Sequence, residues 1–417
     1  MIARHEGQIL LVAGAIPGER VNVRIERAEK RLAFANTISI VDGSPDRRHA
    51  QDPLCGGCVY AHIGYARQLA LKSEIVVDAF TRIGRIPLSQ PLTVRPSPET
   101  AYRLRARFHV RGDRVGFYRE GTHTLCDARE THQLSSGATD AVDASLAALG
   151  DARSTVTSLQ LSENLTADER ALHFDLTAEA ASIETALARA VDAAKLTGCT
   201  ARGHLGPTVR VGRPSVSDPL SALTAGRARS GQLGRQPASF FQGNRFLLPE
   251  LVVKVLDAVS SAGTILDLYA GVGLFSVALA SIGCTRITAV EGDKAGSVDL
   301  GDNAAVYPDA VKVIAGSVEE YVRRPLERAD TIIVDPPRTG ISREAMEAVA
   351  AHGAGRVVYV SCDPPTMARD ARRLLDAGYR LTSLDGFDLF PNTPHVESVG
   401  VFDRSSKAST PSDRERR

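Results

Sequence analysis

No apolar run in the chain approaches the roughly 18 residues that a membrane-spanning helix needs, and the opening MIARHEGQILLVAG lacks a basic segment followed by an apolar signal core. A helical membrane anchor is not expected, and the cytoplasm is the expected compartment. Charge of one sign is equally scarce: the formal net charge is +1, so neither a basic nor an acidic excess announces a partner. Cysteine is sparse, at Cys55, Cys58, Cys126, Cys199, Cys284 and Cys362, which is too few for a disulfide framework in a chain of 417 residues. Any cysteine with a special role is therefore expected to be catalytic or metal-binding. Internal repeats are absent too. What is present is a globular composition, 43% hydrophobic and 24% charged, which argues against a disordered chain. The length suits two or three domains of roughly 100–200 residues each.

The first segment, GQILLVAGAIPGERVNVRIERAEKRLAFANTISIVDGSPDR, alternates apolar and polar residues (Val21, Val23, Ile25; Ala35, Thr37, Ser39 against Ile38 and Ile40) around a turn at Pro17-Gly18. This predicts an OB-like β-barrel over residues 1–48, and the segment resembles the TRAM domain, an RNA-binding barrel. Barrels of that kind open with one strand more than Met1 allows, so the first strand is expected to be missing or the start codon to be placed too late. A Cys-Gly-Gly-Cys turn at Cys55 to Cys58 leads into a helix over Tyr65 to Ile83, with Leu69, Leu71, Ile75, Val76 and Phe80 inward and Lys72 on the exposed side. YRLRARFHVRGDRVGFYREGTHTLCDA reads as paired strands around Gly112-Asp113, crowding Arg103, Arg105, Arg107, Arg111, Arg114 and Arg119 together. Residues 135–215 carry no chemical motif. Residues 49–238 are thus expected to form a mixed α+β central domain.

From Phe240 the apolar runs TILDLYA, ITAVEG, VKVIAG, TIIVDPP and RVVYVSC alternate with helical stretches. That order predicts an α/β fold, a doubly wound, Rossmann-like domain over residues 239–403. The tail, residues 404–417, has no apolar content and is expected to be disordered.

ILDLYAGVGLFSVALA places Asp267 and Tyr269 at a strand end, Gly271 and Gly273 in the turn, and an apolar helix after them. Glycines there let backbone approach a ligand at a helix N-terminus. Glu291, about twenty residues on, ends the next strand, where a carboxylate can accept both hydroxyls of a ribose. A nucleoside-containing cofactor follows, although a lone Gly-x-Gly also fits an ordinary tight turn. Two glycines and an upstream carboxylate suit a sulfonium cofactor without a pyrophosphate, so S-adenosylmethionine is favoured over NAD. Asp335, in TIIVDPPRTG, and Cys362, in RVVYVSCDPP, both leave strands at the edge where doubly wound sheets bind ligands. The helix beginning at Thr366, Met367, Ala368, Arg369 and Asp370 could favour a Cys362 thiolate, but a buried packing cysteine remains open at this point. In LFPNTPHVESVGVF, Glu397 sits in an apolar run, where a carboxylate is costly without a partner or a function.

The set FFQGN (Phe240 to Asn244), DLYAGVGLFS, VDPPRTGI, VSCDPPTMARD and FPNTPHVES, in that order, resembles the RNA uracil-5-methyltransferase family, particularly its TRAM-bearing ribosomal-RNA branch. The resemblance implies Cys362 as the nucleophile at uracil C6 and Glu397 as the base that removes the C5 proton. It also implies Gln242, Tyr269, Glu291 and Asp335 as cofactor contacts. The RNA partner would present a flipped uridine, with the barrel and the Arg103 to Arg119 patch holding phosphates; large-subunit ribosomal RNA is favoured over tRNA, and the chain is expected to act as a monomer. Cytosine C5 methylation and an inactive RNA-binding relative are the rival readings. The family branch often carries a [4Fe-4S] cluster on four cysteines; Cys55, Cys58 and Cys126 match three of them, and His49 stands at the first position. A second departure is Ser317, where an aspartate that bonds the adenine is often found.

Overall fold

The computed structural model describes residues 1–49, Asp52, 54–325 and 327–405. The tail expected over residues 404–417 lies almost wholly outside them, and its first residue, Arg404, instead ends a strand. Three large sheets and a two-stranded ribbon organise the described residues.

Strands β1 (Ile2–His5), β2 (Gln8–Ala13), β3 (Arg20–Ala28) and β4 (Leu32–Asp42) form the first sheet in the order β1-β2-β4-β3. Leu10, Val12, Ala15 and Ala35 close its small core. The strand at Ile2–His5 was not singled out from the sequence; it pairs antiparallel with Gln8–Ala13. Ile16 leaves the barrel to pack with Ile63 and Leu71, which docks the barrel on helix α1 (Tyr65–Asp78). A π-helical turn, Ala79–Ile83, continues α1 over the rest of the expected helix.

Lys72 corrects the sequence reading. It is wholly buried rather than on the exposed side, paired with the equally buried Asp388. Helical periodicity places Lys72 on the polar side of α1, but the partner that reclaims that side lies 316 residues away.

The central sheet has the order β12-β11-β10-β9-β6-β7-β8. Its strands are β6 (Arg105–Arg111), β7 (Arg114–Tyr118), β8 (Leu125–Cys126), β9 (Val156–Glu163), β10 (Arg170–Leu176), β11 (Gly198–Arg202) and β12 (Val209–Gly212). Helices α2 (Ser136–Ala148) and α3 (Glu184–Ala193) cover one face, burying Val142, Leu146, Leu187 and Ala190 against Phe108, Leu159 and Leu161. Alternation then turns Arg105, Arg107 and His109 to the other face. A two-stranded ribbon, β13 (Val216–Pro219) and β14 (Gln232–Arg235), with the short helix α4 (Leu220–Leu223) between its strands, leads on.

The third sheet has the order β17-β16-β15-β18-β19-β21-β20-β5. Strands β15 (Ile265–Leu268), β16 (Ile287–Glu291), β17 (Val311–Ala315), β18 (Thr331–Val334) and β19 (Arg356–Ser361) run parallel, and β21 (Glu397–Arg404) is antiparallel between β19 and β20 (Tyr379–Phe387). The outermost strand, β5 (Val94–Arg95), comes from far earlier in the chain. Neighbouring residues of each strand feed opposite cores: Ile265, Ile333 and Val358 pack under α5 (Leu248–Asp257), α6 (Leu274–Ser281) and α7 (Lys294–Ala304). Leu266, Ile332 and Val357 pack with α1, α8 (Val318–Val322), α9 (Arg343–His352) and α10 (Pro364–Asp376). Burial on both faces is why these strands read as continuous apolar runs.

The strand order reverses between β15 and β18, and the crevice at their carboxyl ends is where such sheets bind ligands. Removing one partner of the Lys72–Asp388 pair should strand a buried charge. Lys72→Met is expected to lower the unfolding free energy in urea by ~3–5 kcal/mol, with most of it recovered when Asp388→Leu is added.

Candidate active site

At the carboxyl end of β15 the chain turns through Tyr269, which holds a left-handed φ of 63° without being glycine. Such strain marks a residue fixed by its surroundings, and the Tyr269 hydroxyl donates to Glu319 Oε1 at 3.0 Å. Gly273 caps α6 with φ 89°, and a Cβ there would lie 2.8 Å from Leu300 Cδ1, so the turn needs glycine. Glu291 already receives two backbone donors, the N–H of Gly271 at 2.6 Å and that of Asp293 at 2.6 Å. The carboxylate expected to meet a ribose is thereby aimed over the Gly271 turn.

Asp267 is fully buried; Ser276 Oγ donates to one oxygen, and Oδ1 has no partner among the described residues. Burial, with Glu291 adding to it, pushes its carboxyl up to about 7. Gln242 Nε2 donates to Asp335 Oδ2 at 3.2 Å. Burial raises Asp335 to about 7 as well, aided by Asp267 and Glu291 and opposed by Gln242. Gln242, Asp267, Gly271, Gly273, Glu291 and Asp335 thus cluster about the carboxyl ends of β15, β16 and β18, with an orphaned buried oxygen and a glycine turn. These residues fit S-adenosylmethionine, whose positive sulfonium would suit so many carboxylates. Ser317, at the position where an aspartate is often found, caps α8 by accepting the Glu320 N–H at 3.1 Å.

Cys362 follows the last residue of β19, and Asp363 caps α10 by accepting the Thr366 N–H at 2.9 Å, with Pro364 at the first helical position. The β19–β21 ladder pairs Ser361 with Ser398, so Cys362 and Glu397 stand one step past its last pair. Cys362 is half-buried; Glu397 is buried, and its Oε1 has no partner among the described residues.

The helix start does not yield a low-pKa thiol here. Burial pushes the Cys362 thiol up to about 12, with Glu397 and Asp335 adding to the rise and Arg338 opposing it. Glu397 is raised well above its usual range by burial and by Asp335, again opposed by Arg338. Arg338, two residues past the Asp-Pro pair, was not marked as a site residue from the sequence; it is the cation facing both groups. His395 Nε2 lies 3.4 Å from Arg338 Nη2, and burial and Arg338 together lower its pKa to about 4, which keeps the ring neutral. Asn244 also escaped the sequence reading: its Oδ1 caps Phe246 and Leu247, and its Nδ2 donates to Ser97 Oγ at 2.8 Å, fixing the loop that carries Gln242.

The cysteine group differs from expectation. Cys55 and Cys126, 71 residues apart, form a disulfide, which no local spacing reveals. The Cys58 sulfur is buried separately, with Gln133 Nε2 at 3.8 Å, and burial raises its pKa to about 11. The third side chain converging with Cys55 and Cys126 is Asp52, whereas His49 is exposed and outside that group. Cys55, Cys58 and Cys126 nevertheless line one cavity with Asp52 and His49, and a four-ligand cluster is not established there.

The raised carboxyls make a pH prediction. An unfolded aspartate titrates near 3.8, so between that value and about 7 folded Asp267 holds a proton that the unfolded chain has lost. Its contribution to stability is fully present below the unfolded pKa and is lost as pH rises through about 7. In the cofactor-free protein, Asp267→Asn is expected to gain stability relative to the unsubstituted chain on going from pH 5 to pH 8, by on the order of 2–4 kcal/mol in thermal or urea unfolding.

Comparison with known proteins bears on the same residues. Residues 229–405 match the family described as tRNA (Uracil-5-)-methyltransferase, and residues 1–38 match the TRAM domain. A 23S rRNA (uracil(1939)-C(5))-methyltransferase RlmD of Alkalilimnicola ehrlichii is 30% identical, covering 97% of this chain and 94% of its own. An uncharacterized RNA methyltransferase of Gloeobacter violaceus is 30% identical over 96% of this chain and 92% of its own. Among solved structures, the Pyrococcus abyssi tRNA (uracil-54, C5)-methyltransferase bound to S-adenosyl-L-homocysteine has the same fold, with a TM-score of 0.74 at 24% identity over 95% of this chain and 96% of that one. With the fold, the cofactor crevice and these likenesses in agreement, the chain belongs to the TRAM-bearing RNA uracil-5-methyltransferase family.

Proposed function

We propose that Cys362 and Glu397 carry out the uridine C5 methylation that membership of this family assigns to the chain. The ladder register carries this reading, since it brings a thiol and a buried carboxyl together at the ligand edge, beside Asp335 and Arg338. Uracil C5 is too weak a nucleophile to take a methyl group directly. When the Cys362 sulfur bonds to C6, the electron pair of the C5–C6 double bond moves toward O4 and leaves C5 nucleophilic. Gln242, Asp267, Tyr269, Glu291 and Asp335 would hold S-adenosylmethionine, which would supply the methyl group that C5 takes up, its sulfonium sulfur leaving as a neutral thioether. Glu397 then takes the C5 proton; the released pair restores the double bond and expels the Cys362 sulfur. Arg338 favours the anionic forms of both side chains, against the burial that disfavours them.

The RNA in this reading is ribosomal. The support is that relatives named for 23S rRNA share 30% identity over nearly the whole chain, while the tRNA-named structure shares 24%. The cytoplasm and a monomeric chain go with that reading. Among the described residues no helix is long and apolar enough to cross a membrane.

Bulk RNA and labelled S-adenosylmethionine test all of this at once. Label is expected in 5-methyluridine of large-subunit rRNA; label confined to tRNA would move the substrate, and 5-methylcytidine would overturn the uracil reading. RNA carrying 5-fluorouridine is expected to form a denaturation-resistant adduct with the unsubstituted chain and none with Cys362→Ala, because fluorine cannot leave as a proton.

A further inference from the structure

Six arginines stand on or beside the β6–β7 hairpin, and five are committed within the protein. Arg103 donates to Gln133 Oε1 at 2.6 Å. Arg107 pairs with Asp175 at 3.2 Å, and Arg119 with Asp52 at 2.8 Å. Arg111 donates to the Tyr118 hydroxyl at 3.3 Å and Arg114 to the Leu125 carbonyl at 2.9 Å.

Arg105 differs from all of them. Among the described residues its guanidinium has neither an acceptor nor a carboxylate, and it lies over the Phe240 ring, 5.5 Å from the centroid. It is half-buried beside Arg103 and Arg235, and burial and those like charges draw its pKa down to about 10. Holding a cation in such a place is unfavourable without an anion to meet it.

The position of Arg105 points to the anion. The Leu104 N–H donates to the Gly243 carbonyl at 2.9 Å, and Arg103 bridges Asn244, which fastens the start of β6 to the Phe240–Asn244 loop. That loop also carries Gln242, which bonds Asp335 in the cofactor crevice. Phe240 is 59% exposed and carries the Arg105 guanidinium over its ring, two residues before Gln242.

We infer that Arg105 binds a backbone phosphate of the substrate RNA beside the uridine that enters the site, with Phe240 holding the guanidinium in place. The inference rests on the proposed RNA uridine reading and narrows the basic patch to one residue. A guanidinium fork matches two phosphate oxygens and positions a strand without reading its sequence.

Binding of bulk 23S rRNA over a series of salt concentrations tests this. Arg105→Gln is expected to weaken binding about tenfold at low salt and to reduce the slope of log K against log salt by about one. Arg105→Lys should keep most of the slope. Arg111→Gln and Arg114→Gln should change neither quantity, and S-adenosylmethionine affinity and melting temperature should stay unchanged in Arg105→Gln. If Arg105→Gln does not fold, the Arg105→Lys chain decides through a raised KM for RNA at unchanged kcat. A protein that methylates RNA with an unaltered slope in Arg105→Gln, or with an unaltered KM in Arg105→Lys where Arg105→Gln does not fold, overturns the inference alone. A wild-type chain that methylates no RNA overturns the functional reading and this inference with it.

Discussion

The buried pair of Lys72 and Asp388 is the constraint on which the order of the site depends. Charges taken out of water gain little net stability from each other, but they tolerate no rearrangement that separates them. Asp388 begins the segment that runs to Glu397, and Lys72 Nζ also donates to the Phe390 carbonyl at 3.0 Å. Asn392 continues the same fixation: its Oδ1 accepts from Arg48 at 2.8 Å and from Gln68 at 2.9 Å, and its N–H donates to Gln68 Oε1. The segment leading to the proposed base is thus held by α1 and by the connection from the barrel rather than by the sheet alone.

Within the crevice the dominant effect is desolvation. Asp267, Asp335, Glu397 and Cys362 are all shifted toward their neutral forms, and each acid makes ionisation of a neighbour harder. Arg338 is the cation that opposes this for Cys362 and Glu397. The arrangement favours a ligand that brings positive charge into the crevice, which a sulfonium does and a dinucleotide pyrophosphate does not.

Local pattern carried the Rossmann-like sheet well. Asp267, Gly271, Gly273, Glu291, Asp335 and Cys362 each lie at or beside a strand end, and period and turn chemistry report such ends directly. What the sequence hid depends on contacts between distant segments. Lys72 looked solvated because α1 alone gives it a polar side, and the Cys55–Cys126 bond joins residues with no common local signal. Arg338 and His395 were visible in their motifs, but only the fold brings 338 and 395 together. The raised pKa of Cys362 was equally hidden, because the carboxyls that add to it come from two other strands.

The strand Val94–Arg95 closes the outer edge of the catalytic sheet beside Tyr379–Phe387, and α1 supplies part of the core beneath that sheet. The catalytic body is therefore discontinuous in the chain. A gene fragment cut at the apparent start of the Rossmann-like region would encode the proposed catalytic pair and cofactor contacts, yet would leave a bare sheet edge and an orphaned Asp388. Recombination between relatives at that boundary would exchange a substrate-binding module only if the segment from Tyr65 to Arg95 travelled with the catalytic half.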